Sequence, residues 1–241
     1  LEQEQEFLSE RTDMTVVRTG LPRHERLISK MSDPQKEMII IAPTWRPWLY
    51  SNENTVNRSD AYFANWQQLL DSEELRKLSD HYEVVFILHP MMRALEKKNH
   101  EPLFLIPDYI MSTTYGDLGL DSLQSLLIRS ELLITDFSSI VFDAVLVKTR
   151  VVYYQFDKDV FRDKGHLKKG WFDYEKDGLG PVFYVWSELA NFLICYNSND
   201  RSGEYEIRMQ KLRDEIYSLR NSSESLIQLA LHEDNDIKEL Y

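Results

Sequence analysis

Short, continuously apolar runs alternate repeatedly with helical patterns along this chain, and this alternation restricts the possible folds more than any other feature. The clearest runs cover 38–42, 84–88, 132–135 and 151–155. Runs that are apolar on both faces are typical of parallel strands buried between layers of helices. We therefore predict an α/β fold with a Rossmann-like, doubly wound, mostly parallel sheet of about five to seven strands.

The remaining elements follow from helical periodicity, capping residues and further apolar runs. Expected helices cover 22–30, 60–78, 91–98, 122–129 (with Asp121 as its cap), 138–147, 187–196, 202–219 and 222–232, and expected strands cover 103–106 and 182–185. Residues 157–180 are predicted to form a long polar and aromatic loop. We thus divide the chain into a lead-in segment (1–20), one Rossmann-like domain (21–232) and an acidic tail (233–241).

Composition narrows the class of protein. The 241 residues, 43% of them hydrophobic, suffice for one large α/β core. A formal net charge of −12 argues against nucleic-acid binding, which depends on basic surface. Cys195 is the only cysteine, which excludes a disulfide framework and fits a reducing, cytoplasmic setting. The loosely spaced Asp157, Asp159 and Asp163 do not indicate a metal site.

The stretch 131–144 predicts a strand that breaks at two serines and continues as an apolar helix. Asp136 is expected to cap the helix, with Ser138 and Ser139 in its first turn and Thr135 at the strand end. At that point the unpaired backbone amides of the helix, the positive end of its dipole and two serine hydroxyls would lie together. Such a group favours the binding of a phosphate. Capped strand–helix junctions are also common as purely structural features, so the pattern leaves both interpretations open.

Two further predicted strands end in polar residues that suit a phosphate, namely Arg46 and His89. Because parallel strands end at the same edge of a sheet, we expect both residues to meet Ser138 and Ser139 in one cleft. Arg46 is equally consistent with a salt bridge to a nearby carboxylate, and His89 with a structural histidine at a strand end. No glycine-rich phosphate loop is present in the sequence, so a standard dinucleotide or P-loop site is not predicted.

Several motifs occur in an order that is typical of one family. They are Gly20-Leu21-Pro22-Arg23, Pro43-Thr44-Trp45-Arg46, His89-Pro90, Thr135-Asp136-Phe137-Ser138-Ser139, and Gly170-Trp171-Phe172-Asp173-Tyr174 followed by Gly180-Pro181. This ordered set resembles the CDP-glycerol:poly(glycerophosphate) glycerophosphotransferases, the teichoic acid and capsule polymer polymerases, over about residues 16–232. The resemblance implies a GT-B-like architecture of two facing Rossmann-like domains, in which this chain corresponds to the C-terminal, donor-binding domain.

The resemblance also implies a reaction. An acceptor hydroxyl attacks the alditol-bearing phosphate of a CDP-glycerol or CDP-ribitol donor, and CMP leaves. His89 is implied as the catalytic residue, in contact with the transferring phosphate or the leaving group. Ser138 and Ser139 are implied to hold the pyrophosphate, Asp136 to order their turn and Arg46 to supply positive charge. Thr135 and Asp173 are implied as further residues of the donor site. No metal ligand and no cofactor other than the donor substrate is implied, and a requirement for a divalent metal is left open.

Three kinds of partner are implied: the CDP-alditol donor, an anionic polymer or lipid-linked acceptor, and an N-terminal domain of the same protein. In the family that domain contains a His-Gly motif whose histidine is the proposed base, and this chain contains no His-Gly pair. The chain alone is therefore expected to bind the donor without turnover, at the inner face of the cell membrane. Two alternatives stay open: a GT-B glycosyltransferase that uses a nucleotide sugar, and a non-catalytic nucleotide-binding module.

Overall fold

The computed structural model describes residues 20–31, 35–49, 57–58, 60–164, 172–196, 203–219 and 224. The strands in these ranges are β1 (Met38–Ala42), β2 (Glu83–Leu88), β3 (Ile110–Thr114), β4 (Ser130–Thr135), β5 (Arg150–Tyr154) and β6 (Val182–Phe183). They form one sheet in the order β3-β2-β1-β4-β5-β6, and every neighbouring pair is parallel. The predicted doubly wound parallel sheet is confirmed.

Helices cover both faces of the sheet. They are α1 (Pro22–Ser29), α2 (Ala61–Leu70), α3 (Glu73–Leu78), α4 (Pro90–Asn99), α5 (Tyr115–Arg129), α6 (Ile140–Leu146), α7 (Lys158–Lys164), α8 (Trp186–Ile194) and α9 (Glu204–Ser218), with a 3₁₀ turn at Pro47–Leu49. Because strand residues alternate between the faces, the sheet buries two apolar clusters. Ile39 and Phe86 pack with α2, α3, α4 and α8, whereas Ile40 and Leu133 pack with α1, α5, α6 and α9.

The predicted strand at 103–106 is wrong, because the third strand of the sheet is β3, at 110–114. Leu103 and Phe104 are buried in the core, yet they lie in irregular backbone between Pro102 and Pro107. Proline has no backbone N–H to donate and disfavours a place inside a sheet. β3 lies at the edge of the sheet and exposes part of its side chains, so it lacks a continuous apolar run.

The predicted long helix at 60–78 is two helices, α2 and α3. Ser72 separates them, because its Oγ accepts a hydrogen bond from the backbone N–H of Leu75 (3.3 Å) and caps α3. The predicted loop at 157–180 contains one helix, α7, at its beginning. Both corrections concern short helices whose polar residues weaken the apolar periodicity.

The predicted start of the helix before β4 is also wrong. α5 begins at Tyr115 rather than after Asp121, and Thr114 is its cap, since Thr114 Oγ1 accepts a hydrogen bond from Asp117 N–H (3.0 Å). Except for residue 224, the predicted helix at 222–232 and the tail at 233–241 lie outside the described residues. The same holds for the lead-in segment, apart from Gly20. The division into three segments therefore stays a prediction.

Candidate functional site

The carboxyl ends of β2, β1 and β4 lie side by side in the centre of the sheet. Ile41 of β1 pairs with Phe86 of β2 on one side and with Ile134 of β4 on the other. The order of the strands reverses between β1 and β4, and doubly wound sheets bind ligands in the crevice at such a point. Since neighbouring strands are about 4.8 Å apart, the loops after β2 and β4 start about 10 Å from each other. The loops with the predicted phosphate-binding residues thus leave the sheet at one edge.

Asp136 connects the loop after β1 to the loop after β4. Its Oδ1 accepts hydrogen bonds from the backbone N–H groups of Thr44 (2.9 Å) and Phe137 (2.7 Å), and its Oδ2 accepts one from Arg46 Nη2 (2.8 Å). The side chain has no exposed surface. The prediction that Asp136 caps the following helix is therefore wrong. Asp136 orders the turn, as the resemblance implied, through bonds to the adjacent Phe137 and to the distant Thr44 and Arg46.

Ser138 and Ser139 precede the first turn of α6 rather than lie in it, because the helix begins at Ile140. Ser138 Oγ accepts a hydrogen bond from Ile140 N–H (3.3 Å), and so satisfies the first amide of α6, a role that we expected of Asp136. Ser139 makes no such capping bond and is exposed. The Ser139 side chain is therefore accessible to a ligand at the edge where the crevice opens.

Thr135 and Gln155 hold the strand ends from inside the protein. Thr135 Oγ1 donates a hydrogen bond to the carbonyl of Ala42 (2.6 Å), which joins β4 to β1. Gln155 Nε2 donates to the carbonyl of Asp136 (2.9 Å), which joins the residue after β5 to the turn after β4. Both side chains are buried, so they fix the backbone of the turn and do not reach the crevice.

Arg46 is completely buried beneath this edge. Its Nε donates to Asp157 Oδ2 (2.7 Å), its Nη2 donates to Asp157 Oδ1 (2.9 Å) and to Asp136, and its Nη1 donates to the carbonyl of Thr44 (2.8 Å). A side chain with no exposed surface does not contact a ligand in the crevice. The structure therefore supports the salt-bridge alternative and corrects the prediction of a direct phosphate contact.

The environment of Arg46 keeps its charge in place. Burial alone disfavours the charged guanidinium, but Asp136 and Asp157 outweigh this effect and raise the pKa of Arg46 above its ordinary value. Aromatic rings surround the guanidinium carbon, with ring centroids at 4.7 Å for Phe161, 5.0 Å for Tyr62 and 5.1 Å for Phe137. Such cation–π contacts add to the ion pairs. The loops after β1, β4 and β5 therefore meet at one guanidinium.

His89 lies at the carboxyl end of β2 and is half-buried. Its Nδ1 accepts a hydrogen bond from Met91 N–H (3.2 Å), so the ring caps α4. Its ring stacks on Trp45, with centroids 6.0 Å apart and planes 20° apart. Burial lowers the pKa of His89 below its ordinary value, which favours the neutral ring near pH 7. A neutral ring whose Nδ1 accepts has its proton on Nε2.

Asp173 lies in an exposed turn between α7 and β6. Its Oδ1 accepts hydrogen bonds from the backbone N–H groups of Glu175 (3.0 Å) and Lys176 (3.2 Å). The amides of Lys176 and Glu175 hold the pKa of the Asp173 carboxyl below its usual value. Lys158 Nζ and Tyr184 both contact Glu175 of this turn (2.9 and 2.7 Å), which ties it to the start of α7. A donor contact of Asp173 stays a prediction.

Sequence reasoning missed the roles of Gln155 and Asp157 at this edge. Gln155 follows β5 directly and Asp157 lies two residues further on, so both have the same position relative to a strand end as His89 and Arg46. The same strand-end pattern would have found them, had it been applied to β5. The sequence gives Asp157 no function, and the structure makes it a partner of Arg46.

Among the residues that the structure describes, no group of three or more histidine, cysteine, aspartate or glutamate side chains is arranged to hold a metal ion. Within the same ranges, no helix is both long and apolar enough to cross a membrane.

Comparison with known proteins agrees with the motifs. Residues 10–231 match the model of the family described as CDP-Glycerol:Poly(glycerophosphate) glycerophosphotransferase. Because the match spans nearly the whole sequence, the chain belongs to this family, and the resemblance inferred from the ordered motifs is confirmed.

Individual relatives are only about a quarter identical in sequence to this chain. The chain is 27% identical over 230 residues to the minor teichoic acid biosynthesis protein GgaB of Bacillus subtilis, with 90% of this chain and 23% of GgaB covered. It is 26% identical to a teichoic acid glycerol-phosphate transferase of Staphylococcus aureus, with 74% of this chain and 44% of that protein covered. The chain thus spans less than half the length of these relatives.

The fold is also similar to a solved structure. The wall teichoic acid polymerase TagF superposes with a TM-score of 0.61 at 20% sequence identity, over 98% of this chain and 57% of the TagF chain. At this identity the similarity establishes a shared fold. This chain has the parallel sheet order β3-β2-β1-β4-β5-β6 of a Rossmann-like unit.

Proposed function

We propose that this chain is the donor-binding part of a transferase that moves glycerol-phosphate or ribitol-phosphate from a CDP-alditol to an acceptor hydroxyl. The observation on which the proposal rests is that the Ser138–Ser139 turn and His89 lie at the same carboxyl edge of the sheet, on either side of β1, in a chain of this family. That edge is where a doubly wound sheet binds a nucleotide. The names of the relatives support a role in teichoic acid or related polymer synthesis.

In the proposed complex, the diphosphate of the donor lies against the exposed Ser139 and the backbone of the turn that Asp136 orders. Hydrogen bonds to charged phosphate oxygens are stronger than those between neutral groups. The Arg46 ion pairs lie below and keep the turn rigid, so the groups that contact the donor are preorganised. This arrangement suits phosphoryl transfer, which depends mainly on positioning and on neutralising charge.

His89 is the residue on this chain that would take part in the chemistry. In the transfer, a bond forms between the acceptor oxygen and the alditol-bearing phosphorus, and the bond from that phosphorus to the CMP oxygen breaks. In the proposed complex, Nε2–H of the neutral His89 ring would donate a hydrogen bond to a phosphate oxygen or to the departing CMP. The proton of the acceptor hydroxyl would go to a base on another domain of the protein.

The partners of the proposed enzyme follow from the same comparison. An anionic polymer or a lipid-linked precursor would be the acceptor, because the relatives are named for polymer synthesis. An N-terminal domain of the same protein would supply the base and the second wall of the cleft, consistent with the partial coverage of the relatives. The enzyme would then work in the cytoplasm, at the inner face of the membrane where lipid-linked acceptors are found.

Isothermal titration calorimetry of the 241-residue chain tests the proposal. We expect binding of CDP-glycerol or CDP-ribitol, competition by CMP, and no release of CMP in an enzymatic assay. UDP-glucose serves as the control ligand, because a glycosyltransferase would prefer a nucleotide sugar. Absence of binding at millimolar CDP-alditol would contradict the donor site, and rapid CMP release by this chain would contradict the need for a second domain.

A further inference from the structure

The burial of Arg46 leaves the proposed donor site without the cation that its sequence position suggested. A diphosphate is strongly anionic, and the acidic side chains Asp136, Asp143 and Asp157 all lie near this part of the sheet. Charge of this kind usually requires an arginine or lysine that reaches the ligand. Arg23 is the last residue of the Gly20-Leu21-Pro22-Arg23 motif and lies at the start of α1.

Arg23 lies close to Ser139, because both residues are close to Asp143 of α6. Arg23 Nε donates a hydrogen bond to Asp143 Oδ1 (3.0 Å), and His24 Nε2 lies 3.2 Å from the same oxygen. Ser139 has helical backbone angles and its carbonyl accepts a bond from Phe142 N–H (3.2 Å), so Asp143 lies one helical turn after Ser139 on the same face. Side chains on a helix point toward its N-terminus, which directs the Asp143 carboxylate toward Ser139.

The orientation of Arg23 is fixed at two points. Gln124 Nε2 donates to the backbone carbonyl of Arg23 (3.0 Å), and Leu27 of the same helix is completely buried in the core. The bond to Asp143 uses only Nε. The structure gives no hydrogen bond of the two Nη groups to another described residue, and 42% of the side-chain surface is exposed. Among the described residues, Arg23 is therefore held only by the Nε edge of its guanidinium.

We propose that Arg23 contacts the diphosphate of the donor and supplies the positive charge that the sequence had suggested for Arg46. The planar guanidinium binds two phosphate oxygens side by side through its Nη groups. Asp143 acts as a positioning residue, since it holds Nε and directs the Nη edge toward the serine turn. This inference rests on the function proposed above. If Arg23 only joined α1 to α6 through its ion pair with Asp143, its substitution would affect charged and uncharged ligands alike.

Calorimetry with Arg23→Gln tests the inference. We expect the Kd for CDP-glycerol to rise by about tenfold to a hundredfold, because a charge-assisted hydrogen bond to the phosphate is lost. The Kd for cytidine, which has no phosphate, should change by less than about twofold. Binding of CDP-glycerol by Arg23→Gln should also depend less on salt than binding by the wild type, because one ion pair fewer is screened. Arg23→Lys should lie between Arg23→Gln and the wild type, because lysine keeps the charge but not the two-point contact.

Arg129→Gln is the matched control. Arg129 is 40% exposed and also pairs with a carboxylate, Glu37, but it lies at the amino edge of the sheet, before β4. Its substitution should leave the affinity for CDP-glycerol unchanged. If Arg23→Gln does not give a cooperative melting curve, Arg23→Lys and Asp143→Asn test the inference in its place. Both variants should weaken CDP-glycerol binding more than cytidine binding.

The outcomes separate this inference from the proposed function. Equal affinity of the wild type and Arg23→Gln for CDP-glycerol would overturn the role of Arg23 and leave the donor site intact. An equal loss for CDP-glycerol and cytidine would reduce Arg23 to a structural tie. A wild-type chain that does not bind CDP-glycerol at all would instead contradict the function from which the inference started.

Discussion

Arg46 and Asp157 form a two-point ion pair beneath the carboxyl edge of the sheet, with Nε to Oδ2 at 2.7 Å and Nη2 to Oδ1 at 2.9 Å. Arg46 has no exposed side-chain surface, and Asp157 exposes 9% of its side chain. Asp136 shares the same guanidinium. A single buried cation therefore joins the loops that follow β1, β4 and β5, and the turn at Ser138 and Ser139 is built on this support.

Arg46→Met should destabilise the fold strongly. The substitution leaves the carboxylates of Asp136 and Asp157 buried without their partner, and breaking a buried ion pair in this way costs about 3–5 kcal/mol. Urea unfolding followed by circular dichroism measures the change. Arg129→Met is the control, because the exposed pair of Arg129 with Glu37 is worth less than about 1 kcal/mol. Equal effects of the two substitutions would contradict the supporting role of Arg46.

The two serines should respond differently to alanine. Ser138→Ala removes the hydrogen bond to Ile140 N–H and should lower the free energy of unfolding by about 0.5–1 kcal/mol. Ser139→Ala removes no capping bond and should change that free energy by less than about 0.5 kcal/mol. Its effect should appear in donor affinity instead, as a loss of about 1–2 kcal/mol measured by calorimetry. Unchanged donor affinity in Ser139→Ala would exclude its hydroxyl from the site.

Replacement of His89 should separate catalysis from structure in the full-length parent protein. If His89 meets charge that develops on the leaving group, His89→Ala should lower kcat by roughly 100-fold or more, with a smaller effect on donor binding. Steady-state kinetics and a melting curve are measured on the same preparation. A variant with lower thermal stability and a wild-type kcat would identify His89 as a structural cap of α4.

The titration of His89 gives a prediction about pH. Burial lowers its pKa in the folded state below the ordinary value of 6.5, so the unfolded chain takes up this proton first as the pH falls. The contribution of neutral His89 to stability is therefore fully present above about pH 6.5 and decreases as the pH falls through the pKa of the folded state. NMR titration of the imidazole, assigned by its absence in His89→Asn, should give a pKa below 6.5. A value above 6.5 would contradict the burial argument.

The sheet could be predicted from the sequence because its central strands are short, continuously apolar and buried on both faces. β1, β2, β4 and β5 were all found in this way, within one or two residues. β3 was missed because an edge strand is buried on only part of its surface, whereas the more apolar run at 103–106 packs into the core without pairing. Local hydrophobicity reports burial, and it does not report hydrogen-bonded pairing.

The edge at which the site lies could also be predicted, since the carboxyl ends of parallel strands must meet. The partners of individual side chains could not. Asp136 looked like a local cap, but its acceptor oxygens are occupied by Phe137 N–H and by Thr44 and Arg46 from another strand. Such bonds depend on which strands are neighbours, and this is decided by the order of the sheet. The exposure of Arg23 and the burial of Arg46 are set in the same way.

An NMR titration of the ¹⁵N-labelled chain with CDP-glycerol tests the central claim most directly, namely that the edge between β1 and β4 is the donor site. We predict that the amide signals of Phe137, Ser138, Ser139 and the residues around His89 shift in a saturable manner. Signals at the amino edge of the sheet, such as those of Glu37 and Ser130, should stay in place. Shifts confined to the amino edge, or no shifts at millimolar CDP-glycerol, would contradict the account.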